Sequence, residues 1–188
     1  MILVILDGWG LAKPNKGNAV TLAKTPTMSG LTGKYPNTEL FASGKFVGLP
    51  SFQSGNSEAG HMNMGAGRIV EQDAVKISQS IKDGTFFKNT SFIEAARQVK
   101  KNKSRLHLMG MISNGMSAHS DPEHLLALLD FAKMNEIKEV YLHLFTDGRD
   151  SPRYASLKLV QDIKKAFKNG EAIATIMGRF YAMDRKKT

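Results

Sequence analysis

The sequence predicts an α/β protein built on a mostly parallel sheet, and three observations support that prediction. Short apolar runs alternate with segments of helical spacing, which is typical of strands joined by crossover helices. Several of these runs are continuously apolar, as strands buried on both faces are. Glycine and ionisable residues follow each predicted strand, at the sheet edge where ligands bind in open α/β folds.

The first part of the chain contains few predicted elements. Residues 2–6 form an apolar run that Asp-Gly ends, and we expect a buried strand there. Thr25-Pro26 predicts a helix start, with threonine as the N-cap and proline in the first turn. Residues 38–42 could form a second strand. Residues 44–67 are rich in Gly, Ser and Asn and should be irregular, apart from a helical turn beginning near Ser57.

From Asp73 onward, predicted strands and helices alternate. We place a domain boundary there, where the Gly-rich region gives way to regular elements. Asp121-Pro122 and Ser151-Pro152 are each an N-cap and first-turn pair that opens a helix. The other predicted elements are helices at 74–82 and 91–101 and strands at 105–112, 139–145 and 172–177.

Composition narrows the classes of function. The 188 residues include no cysteine, which excludes disulfide frameworks, Cys-ligated zinc and thiol nucleophiles. No apolar run approaches the ~20 residues of a membrane span, and the opening run is too short for a secretory signal. We therefore expect a cytoplasmic protein. The net charge of +9 favours an anionic partner without choosing among nucleic acid, acidic lipid and phosphorylated metabolites.

Five residues in the predicted strand-end loops, and one serine, are candidates for chemistry. Asp7 is either a turn residue or a metal ligand at the end of a buried strand. Ser57 is either a capping serine or a nucleophile at a helix N-terminus. His119 suits acid-base work or phosphate contact, and arginine suits bidentate binding of phosphate or carboxylate. The arginines in question are Arg149, Arg179 and Arg185.

Four runs, taken together, resemble the cofactor-independent (2,3-bisphosphoglycerate-independent) phosphoglycerate mutases. They are Ile-Leu-Asp-Gly-Trp-Gly at 5–10, the segment from Gly-Asn-Ser-Glu-Ala-Gly-His to Gly-Arg at 55–68, Phe-Thr-Asp-Gly-Arg-Asp at 145–150 and Gly-Arg-Phe-Tyr-Ala-Met-Asp-Arg at 178–185. They occur in the family's order and cover nearly the whole chain. The resemblance implies an enzyme that interconverts 3-phosphoglycerate and 2-phosphoglycerate in glycolysis and gluconeogenesis through a phosphoserine intermediate.

The resemblance also implies a division of labour. Residues 1–73 would be the amino-terminal part of an alkaline-phosphatase-like metal-binding domain with an incomplete parallel sheet. Residues 74–188 would be the first part of an α/β phosphotransferase domain. Asp7 and Ser57 would ligate metal, with two divalent ions, usually manganese, in the whole site, and Ser57 would be the nucleophile. Asp150 would exchange protons with the glycerate hydroxyls. The residues implied to hold the substrate are His119, Arg149, Asp150, Arg179 and Arg185.

Three departures from the family pattern qualify these expectations. The loop at 113–121 has one extra residue, Asn in place of Asp, and no second histidine. Lys-Lys-Thr stands where an acidic residue usually follows Met-Asp-Arg. Family members are much longer, and the Asp-x-x-x-His and Asp-His motifs that supply most of their metal ligands are absent here. We therefore expect a fragment without mutase activity of its own, served by a complementary carboxyl-terminal chain or otherwise monomeric.

Other functions stay open on sequence alone. One is a metal-dependent phosphatase or another phosphomutase of the same superfamily. Another is a nucleic-acid binder, although the chain has no recognisable binding module and few aromatics to stack bases. A third is a non-catalytic remnant that binds phosphoglycerate or a partner chain. We predict a small-molecule substrate and neither a nucleic-acid nor a membrane partner.

Overall fold

A three-stranded parallel sheet forms the centre of the molecule. The structure is a computed structural model that describes residues 2–168 and 170–184. The strands are β1 (Leu106–Ile112), β2 (Val140–Thr146) and β3 (Glu171–Gly178), in the spatial order β1-β2-β3. Each begins and ends within one residue of its predicted position, so the α/β prediction and its parallel sheet are confirmed.

Eight α-helices are present in the described ranges, and none of them is long and apolar enough to cross a membrane. They are α1 (Ala19–Leu22), α2 (Pro26–Lys34), α3 (Ser57–Ala66), α4 (Asp73–Asp83), α5 (Thr90–Asn102), α6 (Pro122–Met134), α7 (Ser156–Lys165) and α8 (Arg179–Ala182). Short 3-10 helices cover Gly44–Val47 and Phe86–Lys88.

The proline-containing helix starts form where the sequence predicts them, with one exception. The Asp121 carboxylate accepts the Glu123 N–H at 2.9 Å, and Pro122 occupies the first turn of α6, as predicted. The sequence predicts that Ser151-Pro152 opens α7, but that helix begins at Ser156. The reason is that the Ser151 hydroxyl, which would cap the helix, is engaged elsewhere, because its oxygen accepts the Asn114 N–H at 3.1 Å. Residues 151–155 therefore belong to the loop that follows β2.

The core lies on one face of the sheet. Two crossover helices, α6 and α7, join strands that follow one another across the sheet, and right-handed crossovers in one direction place both helices on the same side. That side buries Val140, Leu142 and Leu144 of β2 at 1% exposure or less. The opposite face carries Met109, which is 72% exposed. The expectation of strands buried on both faces is therefore wrong for this face within the described ranges.

The predicted strands at 2–6 and 38–42 do not form. Both segments are coil without ladder partners in the described residues, and their large apolar side chains are exposed: Ile2 is 90% and Leu40 is 87% accessible. A single extended segment cannot form a sheet, since its backbone groups need a neighbouring strand. The segment that begins at Ser57 is more regular than predicted. It forms the ten-residue helix α3 in place of a single helical turn.

Candidate functional site

Ser57 and Asp7 meet at the start of α3, although they are 50 residues apart in the sequence. The Ser57 hydroxyl donates a hydrogen bond to Asp7 Oδ2 at 2.6 Å, and both residues are exposed. Ser57 occupies the first turn because the Asn56 side chain caps the helix, accepting the Ala59 N–H at 2.8 Å. The structure therefore brings together the serine and the carboxylate that the sequence selected separately.

The coil before Ser57 contains Gly55, at a position where no larger residue would fit. A Cβ atom on Gly55 would lie 1.7 Å from the Ala42 carbonyl oxygen, far inside van der Waals contact. The coil before Ser57 can pack so closely against residue 42 only because Gly55 has no side chain. In the Gly-Asn-Ser sequence, Gly55 therefore allows the close packing, Asn56 caps α3 and Ser57 presents its hydroxyl.

His61 lies beside Ser57, one helical turn further along α3. Its Nδ1 is 2.8 Å from the Ser57 carbonyl oxygen and 3.2 Å from the Ser57 hydroxyl oxygen. A carbonyl oxygen only accepts, so Nδ1 must carry the proton and is not available as a base for the serine. Sequence reasoning did not select His61, although its spacing of four residues from Ser57 on a helix is a signal that predicts the contact.

A second cluster, formed by Asp147, Asp150 and Arg179, lies at the carboxyl ends of β2 and β3. Arg179 Nη1 donates to Asp147 Oδ1 at 2.7 Å and to Asp150 Oδ2 at 2.8 Å. The side chains of Asp147, Arg179 and Asp150 are 1%, 9% and 30% exposed, so the first ion pair is buried and the second is partly open. We call these three residues the carboxylate–arginine cluster.

Asp147 organises the loop after β2. Its carboxylate accepts the backbone N–H groups of Arg149, Asp150 and Ser151 at 2.6 to 3.3 Å, and Gly148 between them has a φ of 63°. Burial opposes ionisation of Asp147, but hydrogen bonds from the Asp150 backbone, Ser151 and Arg179 outweigh it and lower its pKa to about 2. The Thr-Asp-Gly-Arg-Asp run is therefore a turn folded around an ionised carboxylate.

Asp150 is the exposed member of the cluster. The hydrogen bond from Arg179 lowers its pKa below the usual range against the effect of burial, and a hydrogen bond from the Ser117 hydroxyl at 2.9 Å lowers it further. The same contact with Asp150 raises the pKa of Arg179. Asp150 is thus held as a carboxylate near neutral pH, in a form that accepts a proton.

The remaining predicted site residues are placed less tightly. His119 is exposed in the loop after β1, and its backbone N–H donates to Ser117 Oγ at 3.2 Å. Arg149 is exposed next to Asp150 in the turn after β2. Arg185 lies outside the described residues. Sequence reasoning missed Asp147, although it follows a predicted strand and precedes glycine, as Asp7 does. It also missed Ser117, for which the unusual loop gave no signal.

The residues present provide part of a metal site. Asp7 and Ser57 place two oxygen atoms side by side, which are donors that hard divalent cations prefer. Such cations take about six ligands. Within residues 2–168 and 170–184, no group of three or more His, Cys, Asp or Glu side chains could hold a metal ion. The donor pair therefore fits a shared coordination sphere, and these residues do not complete one.

Comparisons with known proteins agree with the resemblance. The family model described as the BPG-independent PGAM N-terminus matches residues 77–188. A 2,3-bisphosphoglycerate-independent phosphoglycerate mutase 1 of Methanosarcina barkeri is 50% identical over 189 residues, covering 100% of this chain and 36% of that protein. The corresponding Clostridium botulinum enzyme is 50% identical over 190 residues, covering 100% of this chain and 37% of its own length.

A solved structure also matches the fold. The crystal structure of Leishmania mexicana phosphoglycerate mutase at low cobalt concentration aligns with a TM-score of 0.79 and 29% identity. The match covers 89% of this chain and 32% of that one. The chain therefore spans about a third of the length of the curated relatives and the solved structure that it matches.

Proposed function

The chain belongs to the family of 2,3-bisphosphoglycerate-independent phosphoglycerate mutases, and from that premise we propose that it contributes the nucleophile and substrate-binding residues to an isomerase interconverting 3-phosphoglycerate and 2-phosphoglycerate. The observation that carries the proposal is that one chain contains both of the sites described above. One presents a serine hydroxyl to a carboxylate, and the other presents an ionised carboxylate held by a buried arginine.

Ser57 is the proposed nucleophile. In the first step its Oγ forms a bond to phosphorus while the bond from phosphorus to the glycerate O3 breaks. The Ser57 proton is directed toward Asp7 Oδ2, which is 2.6 Å from Oγ, rather than toward His61 Nδ1, which already carries a proton. A hydroxyl at a helix N-terminus also lies where backbone N–H groups favour an incoming phosphoryl group.

Asp150 is the proposed proton carrier. As O3 leaves it must gain a proton, and as the glycerate O2 attacks the phosphoserine it must lose one. If O3 leaves as an alkoxide, an ionised carboxylate held next to both oxygens can take the proton from O2 and pass it to O3 before the resulting O2 alkoxide attacks the phosphoserine. The two half-reactions then balance without a solvent proton. The lowered pKa of Asp150 keeps it in the accepting form before the reaction.

Positive charge would hold the phosphorylated acid. Arg149, Arg179, Arg185 and His119 are the proposed substrate-binding residues, with Arg149 and His119 exposed in neighbouring strand-end loops. Arginine offers two parallel N–H donors to a carboxylate or phosphate, and phosphoryl transfer depends mainly on such positioning and charge neutralisation. Arg179 is fixed at the base of this set by its two ion pairs.

Two divalent ions, with manganese the proposed metal, complete the proposed site. Asp7 and Ser57 would each supply one oxygen ligand, and coordination favours the ionised form of a serine hydroxyl at neutral pH. The remaining ligands would come from outside this chain. The Leishmania mexicana structure was obtained at low cobalt concentration, and the choice of manganese for this chain is part of the proposal.

The proposed domain organisation follows the same family. Residues 1–73 would begin the metal-binding domain and residues 74–188 would begin the phosphotransferase domain, with a complementary carboxyl-terminal segment required for turnover. Phosphoglycerate interconversion is cytoplasmic chemistry, so the proposal includes that location. By this account the 188 residues alone have no mutase activity.

A chimera tests the proposal. Residues 1–188 of this chain replace the matching third of the Methanosarcina barkeri relative, which is 50% identical and supplies the rest of the enzyme. Supplied with Mn²⁺ and 3-phosphoglycerate, the chimera should form 2-phosphoglycerate, and Ser57→Ala should abolish this. The matched control is Ser91→Ala, an exposed serine in the first turn of α5.

The product separates the proposal from its nearest rival. A metal-dependent phosphatase would release inorganic phosphate from 3-phosphoglycerate instead of forming 2-phosphoglycerate. Release of phosphate without isomerisation, or isomerisation that survives Ser57→Ala, would refute the proposed function.

A further inference from the structure

Gln53 connects the Ser57 segment to the loop after β1. It is 4% exposed, and its Nε2 donates to the carbonyl oxygens of Ser117 at 3.2 Å and Gly115 at 3.4 Å, across more than 60 residues of sequence. Its own backbone is fixed at both ends, since its N–H donates to Pro50 O at 2.9 Å and its carbonyl accepts the Gly44 N–H at 3.0 Å. The side chain therefore extends from a rigid turn to a distant loop.

The contact leads directly to Asp150. Ser117, whose carbonyl accepts from Gln53, donates its hydroxyl to Asp150 Oδ2 at 2.9 Å. Ser117 is itself 1% exposed, so its hydroxyl has little freedom to choose another partner. On the other side, Gln53 stands four residues before Ser57. A continuous set of hydrogen bonds and short backbone segments thus joins the proposed nucleophile to the proposed proton carrier.

The Gln53 amide is paired at its nitrogen but, within the described ranges, not at its oxygen. Its Oε1 is buried and has no hydrogen-bond partner among the described residues. An unpaired buried polar atom costs free energy, and an apolar side chain of the same size would avoid that cost only by leaving the carbonyl oxygens of Ser117 and Gly115 without these donors. What the amide adds is direction, because two donated hydrogen bonds fix where the backbone of Gly115 and Ser117 lies.

We propose that Gln53 is a positioning residue that sets the loop after β1, and through Ser117 the carboxylate of Asp150, relative to the Ser57 segment. The role in catalysis rests on the proposed function, whereas the structural link stands on its own. Gln53 does not need to touch the substrate for this role.

Amide exchange on the 188-residue chain tests the link. The reporters are the N–H groups of Asn114 and His119, which donate to Ser151 Oγ and Ser117 Oγ. Gln53→Met keeps the side-chain length and removes both donors, and should lower protection of these amides about tenfold. The matched control is Gln72→Met, because the side chain of the half-buried Gln72 donates to a nearby residue, to Val70 O at 2.9 Å. Unchanged amides in β2 would show that the fold is intact.

The chimera tests the consequence for catalysis. Gln53→Met should lower kcat about tenfold while KM stays within about twofold, because a positioning defect affects the transition state more than substrate binding. Ser117→Ala removes the hydroxyl that reaches Asp150 and should lower kcat similarly. Since both changes break one path, the double variant should be no worse than the poorer single variant.

The outcomes separate the two proposals. If the unmutated chimera fails to isomerise 3-phosphoglycerate, the proposed function fails, and loop exchange alone decides the link. If Gln53→Met leaves loop exchange unchanged, or has the same effect as Gln72→Met, the link is refuted. If the link holds but the losses of Gln53→Met and Ser117→Ala in kcat are additive, Gln53 does not act through Ser117.

Discussion

Two regions of the chain, residues 2–72 and residues 73–184, differ in how many apolar side chains they bury. The first region buries only three hydrophobic residues in its own cluster, Val47, Leu49 and Ala59. The second buries a ten-member cluster between one face of the sheet and its helices. Local opening costs little free energy where few apolar contacts must be broken. We therefore expect the region that carries Ser57 to open more readily than the region that carries the carboxylate–arginine cluster.

The two parts of the candidate site need different surroundings. The carboxylate–arginine cluster must hold an ion pair away from water, which a rigid sheet edge achieves. The Ser57–Asp7 pair is exposed and rests on segments whose apolar side chains, such as Ile2 and Leu40, face outward. A nucleophile on such a region depends on contacts such as that of Gln53 for its position relative to the sheet.

The largest effect should come from removing core volume from each region in turn. Leu142→Ala empties a fully buried site at the centre of the sheet and should lower the free energy of unfolding by about 4 kcal/mol. Its match is Leu49→Ala, also buried but in the small cluster, which should raise amide exchange in residues 44–70 and change global stability by less than about 1 kcal/mol. Chemical denaturation and amide exchange measure both. Equal global losses would mean that the two regions unfold as one unit.

A smaller loss should follow from breaking the buried ion pair. Asp147→Asn removes the charge that pairs with Arg179 and places an amide where three backbone N–H groups donate, so we expect a loss of about 3 kcal/mol. The control is Asp162→Asn, whose pair with Lys165 is on the surface, so this change should leave the free energy of unfolding nearly unchanged. Similar losses for the two variants would remove the distinction between a rigid sheet edge and an ordinary surface.

The acid dependence of stability should be smaller again. The pKa of Asp147 falls from 3.8 to about 2 on folding, so the unfolded chain binds more protons in that range. The stability it provides is complete above pH 3.8 and is lost as pH falls through about 2, by about 2 kcal/mol in total. Denaturation curves between these values should therefore shift to lower denaturant as pH falls. Asp147→Asn should flatten this part of the profile, and an unchanged slope would contradict the assignment.

The sequence predicted the second region better than the first, for a physical reason. Strands β1, β2 and β3 have apolar runs whose partners lie within the chain, so local pattern and tertiary structure agree. Residues 2–6 have the same apolar pattern but no ladder partner among the described residues, and pattern alone cannot reveal that. Ser151-Pro152 failed as a helix start because the Ser151 hydroxyl oxygen accepts the N–H of Asn114, a residue 37 positions away in the sequence.

The residues of the candidate site also differ in whether the sequence could predict them. Asp7, Ser57, Asp150 and Arg179 stand out in sequence because they lie beside glycine or in family-like runs, and the structure brings them together in two pairs. Gln53 and Ser117 carry no such signal, since their importance comes from a contact across more than 60 residues. Contacts of that kind are fixed by the fold and not by neighbouring residues in the sequence.

Trapping the phosphoserine tests the central claim most directly. The chimera with Mn²⁺ is incubated with 3-phosphoglycerate, quenched in acid during turnover, digested and analysed by mass spectrometry. We predict one phosphoryl group on the peptide that contains Ser57, lost in Ser57→Ala together with isomerisation. Turnover with that peptide unmodified and with phosphate on another side chain would contradict the account.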